Sequence, residues 1–195
     1  MALFGKDYDS VKVGGEFIAL PANGYVCVVK KARMTTNSDG LPMIEVPIDI
    51  SEGEYAQYFT KLFRERMGKD PNAKYPYNGI LKITAVNEDG NTKKNFKSFC
   101  TAIEQSNGIV LPRNDDGFLQ ALVGMEVGVL YQREEYVGND GKAHWSTKPK
   151  WFRSTESIRK GHFTIPEDVP LPDTYGTGFS GSTDSFSAAE DDIPF

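Results

Sequence analysis

Alternating apolar and polar residues predict several strands along this chain. In the clearest case Ile44, Val46, Ile48 and Ile50 share one parity, while Asp49 lies among the residues of the other. The remaining β-forming runs predict a first strand over 16–34 (in one piece or two collinear pieces) and further strands over 80–86, 125–136 and 142–153. Pro47 has no N–H, so we expect an edge or a bulge at that point of the second strand.

Helical spacing of apolar residues replaces the alternation in two stretches. From Glu54 the apolar positions recur at i, i+3, i+4 and i+7, which predicts an amphipathic helix that Gly68 ends. A second helix is predicted from Thr92 or Asn95, one of which would cap it, as far as Gly108. Five strands with a helix between the third and the fourth predict a mainly β fold. That order is typical of the OB-fold, a small five-stranded barrel, here with inserted helices.

The composition changes after Phe163 and divides the chain into two parts. Residues 166–195 are rich in Pro, Gly and Ser and have no cluster of large aliphatic side chains, so we expect a disordered tail. Seven of the 27 acidic residues and none of the 22 basic residues lie there, which leaves residues 1–165 with a formal charge of +2. A faintly basic domain with an acidic tail is an arrangement known from nucleic-acid-binding proteins.

Several classes of function are disfavoured by what the sequence lacks. There is no run of 18 apolar residues and no signal peptide, so we expect a cytoplasmic protein with no membrane partner. Cys27 and Cys100 lie in apolar patterns and predict buried thiols. Asp49, Glu52 and Glu54 could suggest a metal nuclease, but no His or Cys spacing accompanies them. We therefore predict no enzyme, no metal and no cofactor.

The C-terminal six residues combine acidic charge with an apolar end that we expect to be exposed. Pro194 disfavours a helix, and such a peptide suits an apolar pocket surrounded by Arg or Lys on a partner. The last five residues resemble the acidic tip of bacterial and phage single-stranded DNA-binding proteins, which ends in Asp-Asp-Ile-Pro-Phe. This resemblance implies that the tip recruits replication, recombination and repair enzymes through Glu190, Asp191, Asp192, Ile193, Pro194 and Phe195.

Three further stretches resemble a family of short phage and prophage proteins regarded as single-stranded DNA-binding proteins. They are the run 50–59 with Ile-Ser-Glu-Gly-Glu-Tyr, the helix around Phe99 to Glu104, and the hairpin from Glu134 to Arg153. The resemblance covers roughly residues 15–165. It implies sequence-nonspecific binding of single-stranded DNA in the cytoplasm of a bacterium or an infected host cell.

Binding of this kind needs aromatic planes for base stacking and cations along the backbone of the nucleic acid. The predicted fifth strand offers both, and strict alternation would place Trp145, Trp151 and Arg153 on one face unless Pro149 introduces a bulge. We expect one tryptophan to stack on bases and the other to be core. The candidate DNA-binding residues are Trp145, Trp151, Phe152, Lys148, Lys150, Arg153, Tyr75, Tyr77, Lys93, Lys94, Lys97, Lys61 and Arg64.

The alternative is an OB-like adaptor that binds proteins and not DNA. In that case the tip would be its recruiting element, and substitutions of the exposed aromatic residues would alter protein capture and leave oligonucleotide binding unchanged. The edge expected at Pro47 leaves room for a homo-oligomer. Site size, preference for DNA or RNA, and the identity of the docked partner stay open at this point.

Overall fold

The structure is a computed structural model that describes residues 19–172. Within this range the chain forms six strands, four α-helices and one 3₁₀ turn. The strands are β1 (Asn23–Val29), β2 (Arg33–Thr36), β3 (Pro42–Ile50), β4 (Ile80–Thr84), β5 (Glu126–Val137) and β6 (Ala143–Arg153). The helices are α1 (Tyr58–Lys69), α2 (Lys94–Asn107), α3 (Asp115–Leu122) and α4 (Thr155–Arg159), and the 3₁₀ turn is Tyr77–Gly79.

All strand pairs in the sheet are antiparallel. The first half of β3 lies between β2 and β4, and its second half pairs with β1 through Cys27 opposite Ile50. β1 also pairs with β5, and β5 with β6. The predicted mainly β fold with inserted helices is therefore confirmed. The predicted first strand is in two pieces, β1 and β2, which is why the sheet has six strand segments and not five.

The 3₁₀ turn fills the space between β4 and β6. In the described residues no strand ladder joins these two strands. Instead Asn78 Nδ2 donates to Ser146 Oγ on β6 at 3.2 Å, and Tyr131 Oη donates to the Asn78 carbonyl oxygen at 3.1 Å. The Tyr131 ring is fully buried, where its edge contacts Tyr25 and its face stacks on Phe59. This turn is therefore tied both to the core and to the edge of β6.

The helix α2 covers one side of the sheet with an apolar stripe of Phe99, Cys100 and Ile103. It ends at Gly108, which adopts the left-handed conformation with φ 63°, as predicted. Its N-cap is Lys93, so neither Thr92 nor Asn95 caps it and that prediction was wrong. Cys27 and Cys100 are buried free thiols, as expected, and burial raises the pKa of Cys100 to about 11.

A buried carboxylate sets where α1 begins. The sequence places Asp49 on the polar side of its strand, but its side chain is buried and accepts hydrogen bonds from the backbone N–H groups of Phe59 and Thr60 at 3.0 and 3.2 Å. These are donors of the first helical turn, which have no partner inside the helix. The helix therefore starts at Tyr58, four residues later than predicted, and it continues through Gly68 to Lys69.

A bulge in β6 changes which side chains face the core. Tyr131 pairs with Pro149 and Leu130 with Trp151, so Lys150 is an extra residue on β6. Before the bulge Thr147 points inward, and after it Phe152 does. Trp151 and Arg153 therefore lie on the outer face with Lys148, and Trp145 lies on the opposite face. The bulge that the sequence allowed at Pro149 is present, and it breaks the strict alternation that would have put all three on one face.

We expect Asp49→Ala to lower the free energy of unfolding by about 2 kcal/mol, because it leaves buried N–H groups of α1 without an acceptor. Asp49→Asn keeps one acceptor oxygen and should lose less. Urea denaturation measures both variants, with the exposed loop variant Asp39→Ala as the control. Equal stability of Asp49→Ala and the control would show that this carboxylate does not position α1.

Candidate functional site

The β5–β6 hairpin extends beyond the part of the sheet that is paired with β1. The last β1 pair joins Asn23 to Tyr131, whereas the β5–β6 ladder continues to Val137 opposite Ala143. In this extension the Trp145 ring is 41% exposed, and the Arg133 guanidinium carbon lies 4.4 Å from its centroid. The geometry is that of a cation–π pair, in which the guanidinium lies over one face of the partly exposed Trp145 ring.

A second aromatic residue lies at the tip of the same hairpin. Tyr136 is 44% exposed, and its ring centroid is 5.9 Å from that of His144. The His144 Nε2 atom lies 2.9 Å from Oδ1 of Asp140 in the turn. The hydrogen bond from His144 lowers the pKa of Asp140, which keeps this carboxylate charged and holds the imidazole in place.

The outer face of the hairpin carries a carboxylate between two lysines. Glu134 pairs with Lys148, with 2.9 Å between Oε2 and Nζ, and with Lys150 through its other oxygen. Burial alone would raise the pKa of Glu134, but the hydrogen bonds from Lys150 and Lys148 outweigh burial and the pKa is lowered. Lys148 and Lys150 are two residues apart on β6, so both side chains reach the side of the hairpin on which Glu134 lies.

Tyr77 and Lys82 form a further aromatic–cation pair across the gap between β4 and β6. Tyr77 is 65% exposed, and Lys82 Nζ lies 5.5 Å from its ring centroid. The next residue, Asn78, hydrogen bonds to Ser146 of β6, so Tyr77 lies beside the edge of the hairpin. We call this combined region, which includes both faces of the hairpin, the hairpin surface, and it consists of Tyr77, Lys82, Arg133, Tyr136, Trp145, Lys148 and Lys150.

A short C-terminal segment, the strap (167–171), covers the free edge of β5 where β1 ends. Val169 N–H donates to the Arg133 carbonyl oxygen and Glu135 N–H donates to the Val169 carbonyl oxygen, both at 2.9 Å. The Asp168 Oδ2 atom lies 3.3 Å from Arg133 Nε, an ion pair without hydrogen-bond geometry. Residues 166–172 were predicted to belong to the tail, and the strap shows that part of them binds the sheet.

Two of the predicted DNA-binding residues contribute to the core: Phe152 is buried in it, and the half-buried Tyr75 packs against it. Phe152 is only 6% exposed and its ring meets Phe99 edge to face, so it has no free face for a base. Tyr75 packs between Phe59 and Phe63, and its hydroxyl donates to the Ile48 carbonyl oxygen at 2.9 Å. The predicted stacking role of Phe152 was therefore wrong, and the Tyr75 ring is engaged by the core, because aromatic residues in a cation-rich stretch also supply core volume.

The other predicted DNA-binding residues lie in three separate places. Lys61 and Arg64 are exposed on α1, where Lys61 Nζ donates to the Ala56 carbonyl oxygen. Lys93, Lys94 and Lys97 lie at the start of α2. Trp151 and Arg153 are partly buried at the end of β6, away from the hairpin tip. Of the thirteen predicted residues, the structure therefore brings only Tyr77, Trp145, Lys148 and Lys150 to the hairpin surface.

Three members of the hairpin surface were missed by the sequence analysis: Lys82, Arg133 and Tyr136. The alternation of residues along the two strands of the hairpin contained a signal for Arg133 and Tyr136. Counting outward from the turn at 138–141 pairs Glu135 with Trp145, which places Arg133 diagonally beside the tryptophan. The proximity of Lys82 to Tyr77 depends on the 3₁₀ turn, which had no recognisable signal.

The predicted docking tip, 190–195, lies outside the described residues. Within 19–172 no group of three or more His, Cys, Asp or Glu side chains is arranged to hold a metal ion. The carboxylates of the suggested cluster Asp49, Glu52 and Glu54 have different partners. Asp49 accepts a hydrogen bond at the start of α1, and Glu52 forms an ion pair with Arg159.

Acidification should weaken the ion pairs on the outer face of the hairpin, because it protonates Glu134. Its pKa lies below the ordinary value of 4.5 in the folded protein, so its stabilising contribution is complete above that value and is lost as the pH falls through the lowered pKa. We expect Glu134→Gln to be less stable than wild type at about pH 7 and to lose less stability on acidification to about pH 3.5. Thermal unfolding measures this, with exposed Glu88→Gln as the control. Parallel pH profiles for Glu134→Gln and wild type would contradict the assignment.

Comparison with known proteins adds no assignment to this geometry. No protein-family model matches the chain, and no curated protein matches it. Among the described residues, no helix has the length and apolar character needed to cross a membrane. The function of this chain must therefore be inferred from the residues and contacts described above.

Proposed function

We propose that this chain is an OB-fold protein that binds single-stranded DNA without sequence specificity. The strand pairing supports the fold. β1 and β2 act together as one long first strand, β3 and β4 follow it in an antiparallel meander, α2 lies between β4 and β5, and β5 returns to pair with β1. A barrel left open between β4 and β6 agrees with the partly open form of this fold.

The observation that carries the functional proposal is the Trp145–Arg133 pair on a projecting hairpin. Every base has a π-face, so an exposed ring stacks on bases of any sequence, and stacking contributes roughly 1–3 kcal/mol per base. The adjacent guanidinium provides the positive charge for a phosphate. Tyr136 and Tyr77 offer two further rings on the same hairpin surface.

The charge of the hairpin surface favours binding that relies on stacking. Its cations already have carboxylate neighbours: Lys148 and Lys150 share Glu134, Lys82 lies 3.4 Å from Glu45, and Arg133 is paired with Asp168. A phosphate has to compete with these carboxylates, so each phosphate contact contributes less binding free energy than a contact with a lysine that has no ion-pair partner. A preference for stacking agrees with the small formal charge of +2 on residues 1–165.

The C-terminal tip supports a role in phage or prophage DNA replication and recombination. Its resemblance to the tips of single-stranded DNA-binding proteins suggests that it delivers partner enzymes to the bound strand. We propose no catalytic activity, since binding and recruitment need neither a nucleophile nor a metal. An adaptor that binds only proteins would keep the tip and leave the aromatic rings of the hairpin surface without a nucleic-acid ligand.

Trp145→Ala should weaken binding of a labelled oligo-dT of about 30 nucleotides by roughly five- to 150-fold, which corresponds to the loss of one stacked base. Trp145→Phe retains an aromatic plane and should keep most of the affinity. Fluorescence anisotropy of the label measures both without using protein emission. Equal affinity of wild type and Trp145→Ala would contradict the placement of the site. An absence of oligonucleotide binding by wild type at low salt would favour the adaptor.

A further inference from the structure

A polar cleft of about 300 Å³ lies between α2, the end of β6 and α4. It is distinct from the hairpin surface. One wall is a stripe of α2 with Lys97, Ser98, Thr101 and Gln105, which recur at helical spacing. The opposite wall holds Arg153, Ser154 and Ser157, and Phe152 and Ala102 form its floor.

The cleft has a positive charge that no lining residue neutralises. It contains Lys97 and Arg153 and no carboxylate. The nearest carboxylates along α2 and α4 are engaged elsewhere, because Glu104 pairs with Arg113 at 2.9 Å and Glu156 with Lys160 at 2.5 Å. In the described part of the chain Lys97 and Arg153 form no ion pair, unlike Lys82, Lys148 and Lys150 of the hairpin surface.

Several hydrogen-bond donors of the cleft are also uncommitted. The Arg153 guanidinium is oriented by one hydrogen bond, from Nη1 to the Phe152 carbonyl oxygen at 2.9 Å, and its other N–H groups remain for a ligand. Among residues 19–172 the side chains of Ser98, Thr101 and Gln105 have no hydrogen-bond partner. Two cations with hydroxyl and amide donors and no carboxylate match the needs of a phosphate group.

We propose that this cleft is a second phosphate site that binds the sugar–phosphate backbone of the same single strand of DNA. This inference rests on the proposed function and extends it to a defined path. Trp145 and Arg153 are eight residues apart on β6, a distance of roughly 25 Å at the rise of a strand. Because of the bulge, Lys148, Lys150, Trp151 and Arg153 lie on one outer face. Trp145 lies on the opposite face of the hairpin, so a bound strand that stacks there crosses the edge of β6 to reach this row of cations and the cleft.

The double variant Lys97→Ala/Arg153→Ala tests the cleft. Each phosphate contact to a single strand contributes about 0.7 to the slope of log K against log salt. We expect the variant to bind oligo-dT of about 30 nucleotides roughly tenfold more weakly at low salt, with a slope reduced by about 1.4. Trp145→Ala should lower the affinity and leave the slope unchanged, because it removes a stacking contact and not a phosphate contact.

Arg113→Ala/Lys160→Ala is the matched control. It removes the same formal charge, but from two exposed cations that are ion-paired outside the cleft. If both double variants reduce the slope equally, the effect is general electrostatics and the cleft proposal is overturned. Circular dichroism and the melting temperature establish that both variants are folded.

The remaining outcomes separate this inference from the proposed function. If wild type binds DNA and Lys97→Ala/Arg153→Ala binds it with unchanged affinity and slope, only the cleft proposal fails. If wild type binds no oligonucleotide, the proposed function fails and the cleft proposal fails with it. Saturable binding of dTMP that Lys97→Ala/Arg153→Ala abolishes, with DNA binding unaffected, would reassign the cleft to a free nucleotide and likewise overturn the proposal.

Discussion

The bulge at Lys150 is the constraint on which the arrangement of β6 depends. A strand presents alternate residues to its two faces, so one inserted residue reverses the parity of everything that follows. Before the bulge the core receives Thr147, whose hydroxyl donates to the Leu20 carbonyl oxygen at 2.6 Å. After it the core receives Phe152, which packs on α2. Without the bulge, Trp151 and Arg153 would point toward the core, and the outer face would lose its continuous row of cations.

The same hairpin shows how the protein combines stability with a surface suited to a ligand. The cations of the hairpin surface are held by carboxylates at short distances, which fixes their positions before any ligand arrives. The strap adds to this order, because it covers the edge of β5 and brings Asp168 to Arg133. A preorganised surface loses little side-chain entropy on binding, but a phosphate must replace or share existing ion pairs. The cleft beside α2 complements it, because its two cations form no ion pair with any of residues 19–172.

The sequence predicted the class of fold well and the site only in part. Strand alternation located β3, a run of β-forming residues located β5, and Gly108 marked the end of α2, because these signals are local. The start of α1 was misplaced, since it depends on Asp49, a residue from the preceding strand. Phe152 and Tyr75 were assigned to the surface because composition alone does not distinguish a core ring from a stacking ring. The pairs Trp145–Arg133 and Tyr77–Lys82 required the register of β5–β6 and the position of the 3₁₀ turn.

The central claim is that an exposed tryptophan of the hairpin contacts the bases of single-stranded DNA. The most direct test is a titration of the intrinsic tryptophan fluorescence of the wild-type protein with an oligo-dT of about 30 nucleotides, at low and at high salt. The account predicts quenching at low salt, with an affinity that falls by about 0.7 log units per contacted phosphate for each tenfold increase in salt. Unchanged emission, together with no retardation of the oligonucleotide in a gel at low salt, would contradict it.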